Sequence, residues 1–167
     1  MIENMKVQTL ASGQRMELKF SGPISETSIF PEFSLQNISE ITLDFGDVTY
    51  VNSAGVRVWV KWMWKFEKEK ESLKFSIERC SPRIVRQIHA IQNFVPKSTS
   101  INSFLIPYDC SSCSHVVEKL FVTETPAQKN LDSLKQMLSA SMQCPKCSAQ
   151  MELDAIPDDY LSLMKAR

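Results

Sequence analysis

The stretch from Ile41 to Phe66, ITLDFGDVTYVNSAGVRVWVKWMWKF, constrains the fold of this chain more than any other. Ile41, Leu43 and Phe45 alternate with Thr42 and Asp44, the period of a strand with one face on a core. Gly46-Asp47 breaks the alternation, and Val48 to Val51 reads as a second short β-like run. Asn52-Ser53-Ala54-Gly55 then opens a helix. Val56, Trp59, Val60, Met63 and Phe66 fall at the three/four spacing of one helical face. A strand fed directly into an amphipathic helix is the building unit of a layered α/β fold.

The small polar residues at this junction admit two readings. Asn52 or Ser53 can cap the helix, because a short polar side chain accepts a bond from an unpaired first-turn amide. Alternatively, the Ser53 hydroxyl is a modification site, since a phosphate there would be favoured by free amides and the helix dipole. Ala54 and Gly55 are small enough to let the first turn approach neighbouring backbone closely. Trp62 and Trp64 fall off the expected core face, Trp64 beside Arg57, Lys61 and Lys68. Such an aromatic either stacks on cations as local packing or anchors an interface. On the interface reading, Asn52, Ala54, Gly55, Arg57, Trp62 and Trp64 are the partner-contacting residues.

The run LDFGDVTYVNSAGVRVWV resembles the signature of STAS domains, the fold of bacterial anti-sigma factor antagonists. Their pattern is an apolar strand ending in Asp, then Asp-Ser-(Ser/Ala/Thr)-Gly-(Leu/Val) opening a helix. Here the motif stands as Asn52-Ser53-Ala54-Gly55-Val56, with Asn in place of the second Asp. The resemblance covers roughly residues 1–106. It implies a STAS-like mixed sheet with helices on one face, and a protein partner, often a serine kinase that doubles as an anti-sigma factor. It further implies phosphorylation at Ser53. STAS-like domains also occur as subunits of lipid-transport complexes, so a constitutive scaffold within a larger, membrane-associated assembly is the rival implication.

The remaining sequence fits an α/β order without that resemblance. Met5 to Leu10 and Arg15 to Phe20 read as strands around the turn Ala11-Ser12-Gly13-Gln14, with Ser21-Gly22-Pro23 ending the second. Ile29, Phe30, Phe33 and Leu35 lie in a segment interrupted by Pro31, read as a helical turn and loop. The helix from Ser53 ends in a solvated charge run, Lys65 to Glu71. Leu73, Phe75 and Ile77 alternate as a strand. Pro82 opens a helix carrying Ile84, Val85, Ile88, Ile91 and Phe94. His89, next to that face, reads as a boundary residue and Cys80 as an apolar filler. Ile101 to Ile106 is the expected last strand of a first domain, closed by Pro107. The order strand, strand, strand, helix, strand, helix, strand predicts a partly parallel sheet.

Residues 107–167 carry a second motif. Cys110-Ser111-Ser112-Cys113 and Cys144-Pro145-Lys146-Cys147 are two Cys-x-x-Cys pairs separated by thirty residues. Two intervening residues let both thiolates of a pair face one ion, and the second pair completes a tetrahedron, so the spacing predicts a structural zinc site. A redox dithiol is disfavoured because neither pair follows a strand into a helix. A catalytic zinc would need an open position, which a complete cysteine set does not leave, though His115, just beyond the first pair, could displace one cysteine. Val116 to Val122 reads as a strand. Leu131, Leu134, Leu138 and Met142 mark a helix, Ala149 to Leu153 a return strand, and Pro157 to Met164 a final helix.

Composition narrows the function. The 167 residues carry no net formal charge, with 43% hydrophobic and 23% charged side chains, ordinary for a globular chain. After Tyr108 there are six basic side chains against eight acidic ones. A net acidic module gains little from phosphate contacts, so nucleic-acid binding through the zinc module is a poor alternative. No apolar run has membrane-spanning length and the first residues lack signal-peptide organisation, so a cytoplasmic location is expected. No nucleophile–base pair, phosphate loop or carboxylate constellation is present, and the expectation is a regulatory binding module rather than an enzyme.

Overall fold

The computed structural model describes residues 4–70, 72–123 and 131–164, without the side chain of Glu67. Glu71 of the charge run, and Glu124, Lys129, Lys165 and Arg167 of the module's charge, lie outside them. The fold is mixed α/β, with two sheets. The first has the order β1-β2-β3-β4-β5: β1 (Lys6–Ser12), β2 (Arg15–Ile24), β3 (Glu40–Val51), β4 (Lys74–Glu78) and β5 (Ser100–Ile101). β1 and β2 form an antiparallel hairpin, and β2 to β5 are parallel. Gly13 takes φ +60° at the first of two loop positions, the role glycine fills in a tight hairpin.

β3 is one strand where the sequence suggested two. Opposite β2 its register slips after Lys19↔Asp44 to Ser21↔Asp47, and again between Gly22↔Val48 and Ile24↔Val51. Each slip inserts one extra residue in β3, so the expected break at Gly46-Asp47 is a bulge that bends the strand. β2 likewise does not stop at Ser21-Gly22-Pro23 but runs on to Ile24. The parallel crossover from β2 to β3 has no helical turn. Residues 25–39 make it as a loop pinned by buried Phe30, Leu35 and Ile38.

Helix α1 (Ser53–Glu69) packs on the apolar side of this sheet. Trp59 is fully buried against Phe20, Phe45 and Phe94, and its indole N–H donates to the Phe94 carbonyl at 2.8 Å. Trp62 is a correction. It is 5% exposed, stacks on Phe30 and donates its N–H to the Pro31 carbonyl at 3.0 Å. The buried face is therefore Gly55, Trp59, Trp62, Met63 and Phe66, while Val56 and Val60 are only half-buried at its margin. The opposite sheet face carries exposed Glu17 and half-buried Lys19 and Thr42.

Helix α2 (Pro82–Ala90) ends before Phe94, which is buried nonetheless. The chain then leaves the first sheet at Asn102. Strand β6 (Ser103–Asp109) crosses the boundary expected between Ile106 and Pro107 and belongs to a second sheet. That sheet has the order β7-β6-β9-β8, all antiparallel, with β7 (Val116–Val122), β8 (Met142–Gln143) and β9 (Gln150–Leu153). Met142 is in β8 and not on α3 (Leu131–Ser139). The final helix α4 (Pro157–Met164) docks inside the chain: Tyr160 is buried against Phe104 and its hydroxyl donates to the Leu105 carbonyl at 3.0 Å. His89 on α2 pairs with Asp159 at 3.3 Å, and Arg83 with Glu118 at 2.8 Å. Among the described residues, no helix is long and apolar enough to cross a membrane.

Candidate functional site

Two places gather the chemistry-bearing residues. The first is a four-sulfur cluster at one end of the second sheet. Cys110, Cys113, Cys144 and Cys147 bring their sulfur atoms within 4.8 Å of one another. Cys110 Sγ lies 3.5 Å from Cys147 Sγ, and Cys113 Sγ the same 3.5 Å from Cys144 Sγ. Tetrahedral thiolates at a zinc–sulfur length of about 2.3 Å stand about 3.8 Å apart, so the spacing fits one ion.

The two pairs are built alike, offset in sequence but equivalent in backbone. The Cys110 amide donates to the His115 carbonyl at 3.0 Å, and the Cys144 amide to the Ala149 carbonyl at 2.8 Å. The Ser114 amide donates to the Cys110 carbonyl at 2.8 Å, and that of Ser148 to the Cys144 carbonyl at 2.9 Å. Ser114 and Ser148 both take left-handed backbone, φ +55° and +62°. Each turn curls its two sulfurs to one side. In each pair the first cysteine is buried and the second exposed. The His115 ring is not part of the cluster.

The thiols are unequal before any ion binds. Burial works to raise Cys144, but the amides of Lys146 and Cys147 and the neighbouring thiols of Cys113 and Cys147 outweigh it and bring the group down to about 7. Cys113, bonded first to Cys147, is pushed up to about 12. Backbone amides aimed at sulfur favour the thiolate, the form that binds metal.

The second place is the start of α1. Asn52 is the cap: its Oδ1 accepts from the Gly55 amide at 2.7 Å, and its Nδ2 donates to Glu26 Oε2 at 2.9 Å. The Asn52 bond holds the Glu26 carboxyl below the usual carboxylate range. Ser53 is the first helical residue and is exposed, so the capping role suggested for it falls to its neighbour. The amides of Ser53 and Ala54 have no acceptor within the helix. Ala54 is half-buried and Gly55 fully buried. A Cβ on Gly55 would stand 2.2 Å from the Ile24 carbonyl oxygen, so only glycine lets α1 start against the end of β2. Arg57 and Trp64 are exposed on the outer side of the helix, Trp64 by 47%.

Beside this loop Arg79 binds Asp44 through both carboxylate oxygens, at 2.9–3.1 Å, and reaches Asp47 at 3.4 Å. Gly46 makes room for it, because a Cβ there would meet the guanidinium at 2.5 Å. The hydrogen bond from Arg79 to Asp44 raises the guanidinium's own already high pKa. Asp44, inside β3, is thus tied by a fixed ion pair to the residue that follows β4. Neither Glu26 nor Arg79 carries a local sequence signal, because their roles depend on contacts 26 and 35 positions away in the chain. Comparison with family models, curated proteins and solved structures found no match to this chain.

Proposed function

We propose that the chain is a non-enzymatic regulatory module that binds a protein partner through the start of α1, in the manner of an anti-sigma factor antagonist, with Ser53 as a phosphorylation switch and a structural zinc ion holding the second sheet. The carrying observation is the division of labour at the helix start. Asn52 performs the cap, and the Ser53 hydroxyl stands exposed beside it. A hairpin followed by parallel strands joined through α1 and α2 supports the STAS-like reading. The partner class is a serine kinase that also sequesters a transcription factor.

Phosphate at Ser53 would add about −1.5 to −2 charges. An interface fitted to a neutral serine would lose complementarity, and about 1.4 kcal/mol of repulsion is tenfold in affinity. The all-sulfur donor set supports zinc in a closed, structural role. A second reading, a constitutive scaffold, is favoured by Glu26, which already places a carboxylate next to Ser53 through Asn52.

Affinity capture from the native lysate with wild type, Ser53→Ala and Ser53→Asp separates the two. An ATP-binding kinase held by wild type and Ser53→Ala, and at least tenfold weaker on Ser53→Asp, is the expected result. Equal capture by all three removes the switch and leaves the scaffold.

A further inference from the structure

The outer side of α1 has an order that the packing of the helix does not require. Val56, Val60 and Trp64 form one row at four-residue spacing, and Arg57, Lys61 and Lys65 form the row beside it. Like charges at this spacing repel one another. Basic side chains near a helix start also oppose its dipole. No acidic residue occurs in α1 from Ser53 through Phe66 to relieve either effect. Lys65 is paired with Glu32 at 3.1 Å, whereas Arg57 and Lys61 make no ion pair with any described residue. Between the rows lies an open cleft of about 320 Å³, lined by Val56, Arg57, Val60, Lys61 and Trp64.

We propose that this face receives an acidic amphipathic segment of a partner protein, with an apolar side chain in the cleft against Trp64 and carboxylates on Arg57 and Lys61. The proposal rests on the protein-binding reading above and names the chemistry of the partner. Charge complementarity selects the occupant: two uncompensated cations flank an apolar slot, the arrangement an acidic helix face with apolar anchors completes. The positive stretch is narrow: it runs from Arg57 through Lys61 to exposed Lys68, about three turns of one helix face. Glu26, bonded to the cap, bounds it at the helix start, and Glu32, on Lys65, lies along its flank. A stripe of this width with carboxylates beside it suits one docked segment rather than a flat bilayer. Trp64 is the anchor, since half-exposed tryptophan beside arginine is the composition of binding hot spots.

The test uses the full chain and a fluorescein-labelled helical peptide with leucines at three/four spacing and glutamates between them, read by fluorescence anisotropy. Saturable binding that weakens with added salt is expected, with affinity falling at least tenfold in Trp64→Ala and in Arg57→Glu/Lys61→Glu. All three residues are at the surface, and unchanged circular dichroism verifies that the variants fold. Trp59 and Trp62 are already buried, so binding shifts tryptophan emission to the blue in wild type but not in Trp64→Phe. The proposal is overturned by no binding, by binding that the variants leave unchanged, or by association with phosphatidylserine vesicles in place of the peptide. Capture of the Ser53-dependent partner that persists undiminished in Arg57→Glu/Lys61→Glu also overturns it while leaving the protein-binding reading intact. Failure of wild type to hold any partner instead defeats that reading.

Discussion

The two sheets of this chain reach order by different physical means. The first is held by burial. Phe20, Phe30, Phe45, Trp59 and Trp62 form one interlocking aromatic set with ring centroids 5.0–6.3 Å apart, and both tryptophan N–H groups find carbonyls. The second sheet has a thinner interior, chiefly Phe104, Tyr108, Phe121, Leu134, Met151 and Tyr160. Its far end is closed by four cysteines on two tight turns. Where too few apolar side chains are available, a metal ion can supply the missing cohesion, and these four sulfurs are placed so that they could hold one. The difference also separates the duties of the two regions. A rigid aromatic core positions the loop and outer face of α1, and the second module rests on α2 through Arg83–Glu118 and His89–Asp159.

The largest effect expected from this contrast is selective loss of the second sheet. Ligation contributes about 10–16 kcal/mol in small zinc modules. Chelation, or Cys144→Ser, should therefore remove amide protection from β8, β9 and the paired turns. β2 to β4 should keep theirs, as read by hydrogen exchange. Elemental analysis should return one zinc per wild-type chain. Equal loss of protection in both sheets would mean that the contrast is false and the chain unfolds as a unit.

That asymmetry was partly legible in the sequence. The cysteine spacing revealed the cluster, because metal-ligand geometry acts over a few residues and leaves a local signature. β7 was legible in full, from Val116 to Val122, for a similar reason. The buried side of α1 was not. Apolar residues occupy positions 56, 58, 59, 60, 62, 63, 64 and 66, more than half its circumference, so periodicity admits several faces. Phe30 and Pro31, from the crossover loop, decide in favour of Trp62. The passage of the chain between sheets was hidden too. Leu105 donates its amide to Cys80 and Asn102 to Ile77, contacts with no local trace around Pro107.

The aromatic side of the comparison is sharpened by two helix substitutions. Trp59→Ala empties the centre of the first core and should cost about 3–5 kcal/mol in denaturant unfolding. Trp64→Ala, at the half-exposed position, should change stability by about 0.5 kcal/mol or less. Similar losses at both sites would place Trp64 in the core and withdraw the outer face of α1 from the surface.

The smallest effect probes the ion pairs at the rim of the first sheet. Asp47 accepts from Lys19 at 3.0 Å, which holds its carboxyl below the usual range, with Arg79 assisting. A carboxyl depressed in the folded state stabilises above its unfolded value of about 3.9, and that contribution is lost as pH falls through the lower folded value. Asp47 is 45% exposed, so solvent screening limits the gain to about half a kcal/mol. Asp47→Asn should be less stable than wild type by that amount at neutral pH, and the two should converge as the wild-type carboxyl is protonated in acid. Added salt should narrow the gap in the same way. A gap that persists in acid and in salt would mean that Asp47 acts through the backbone geometry of the β3 bulge and not through charge.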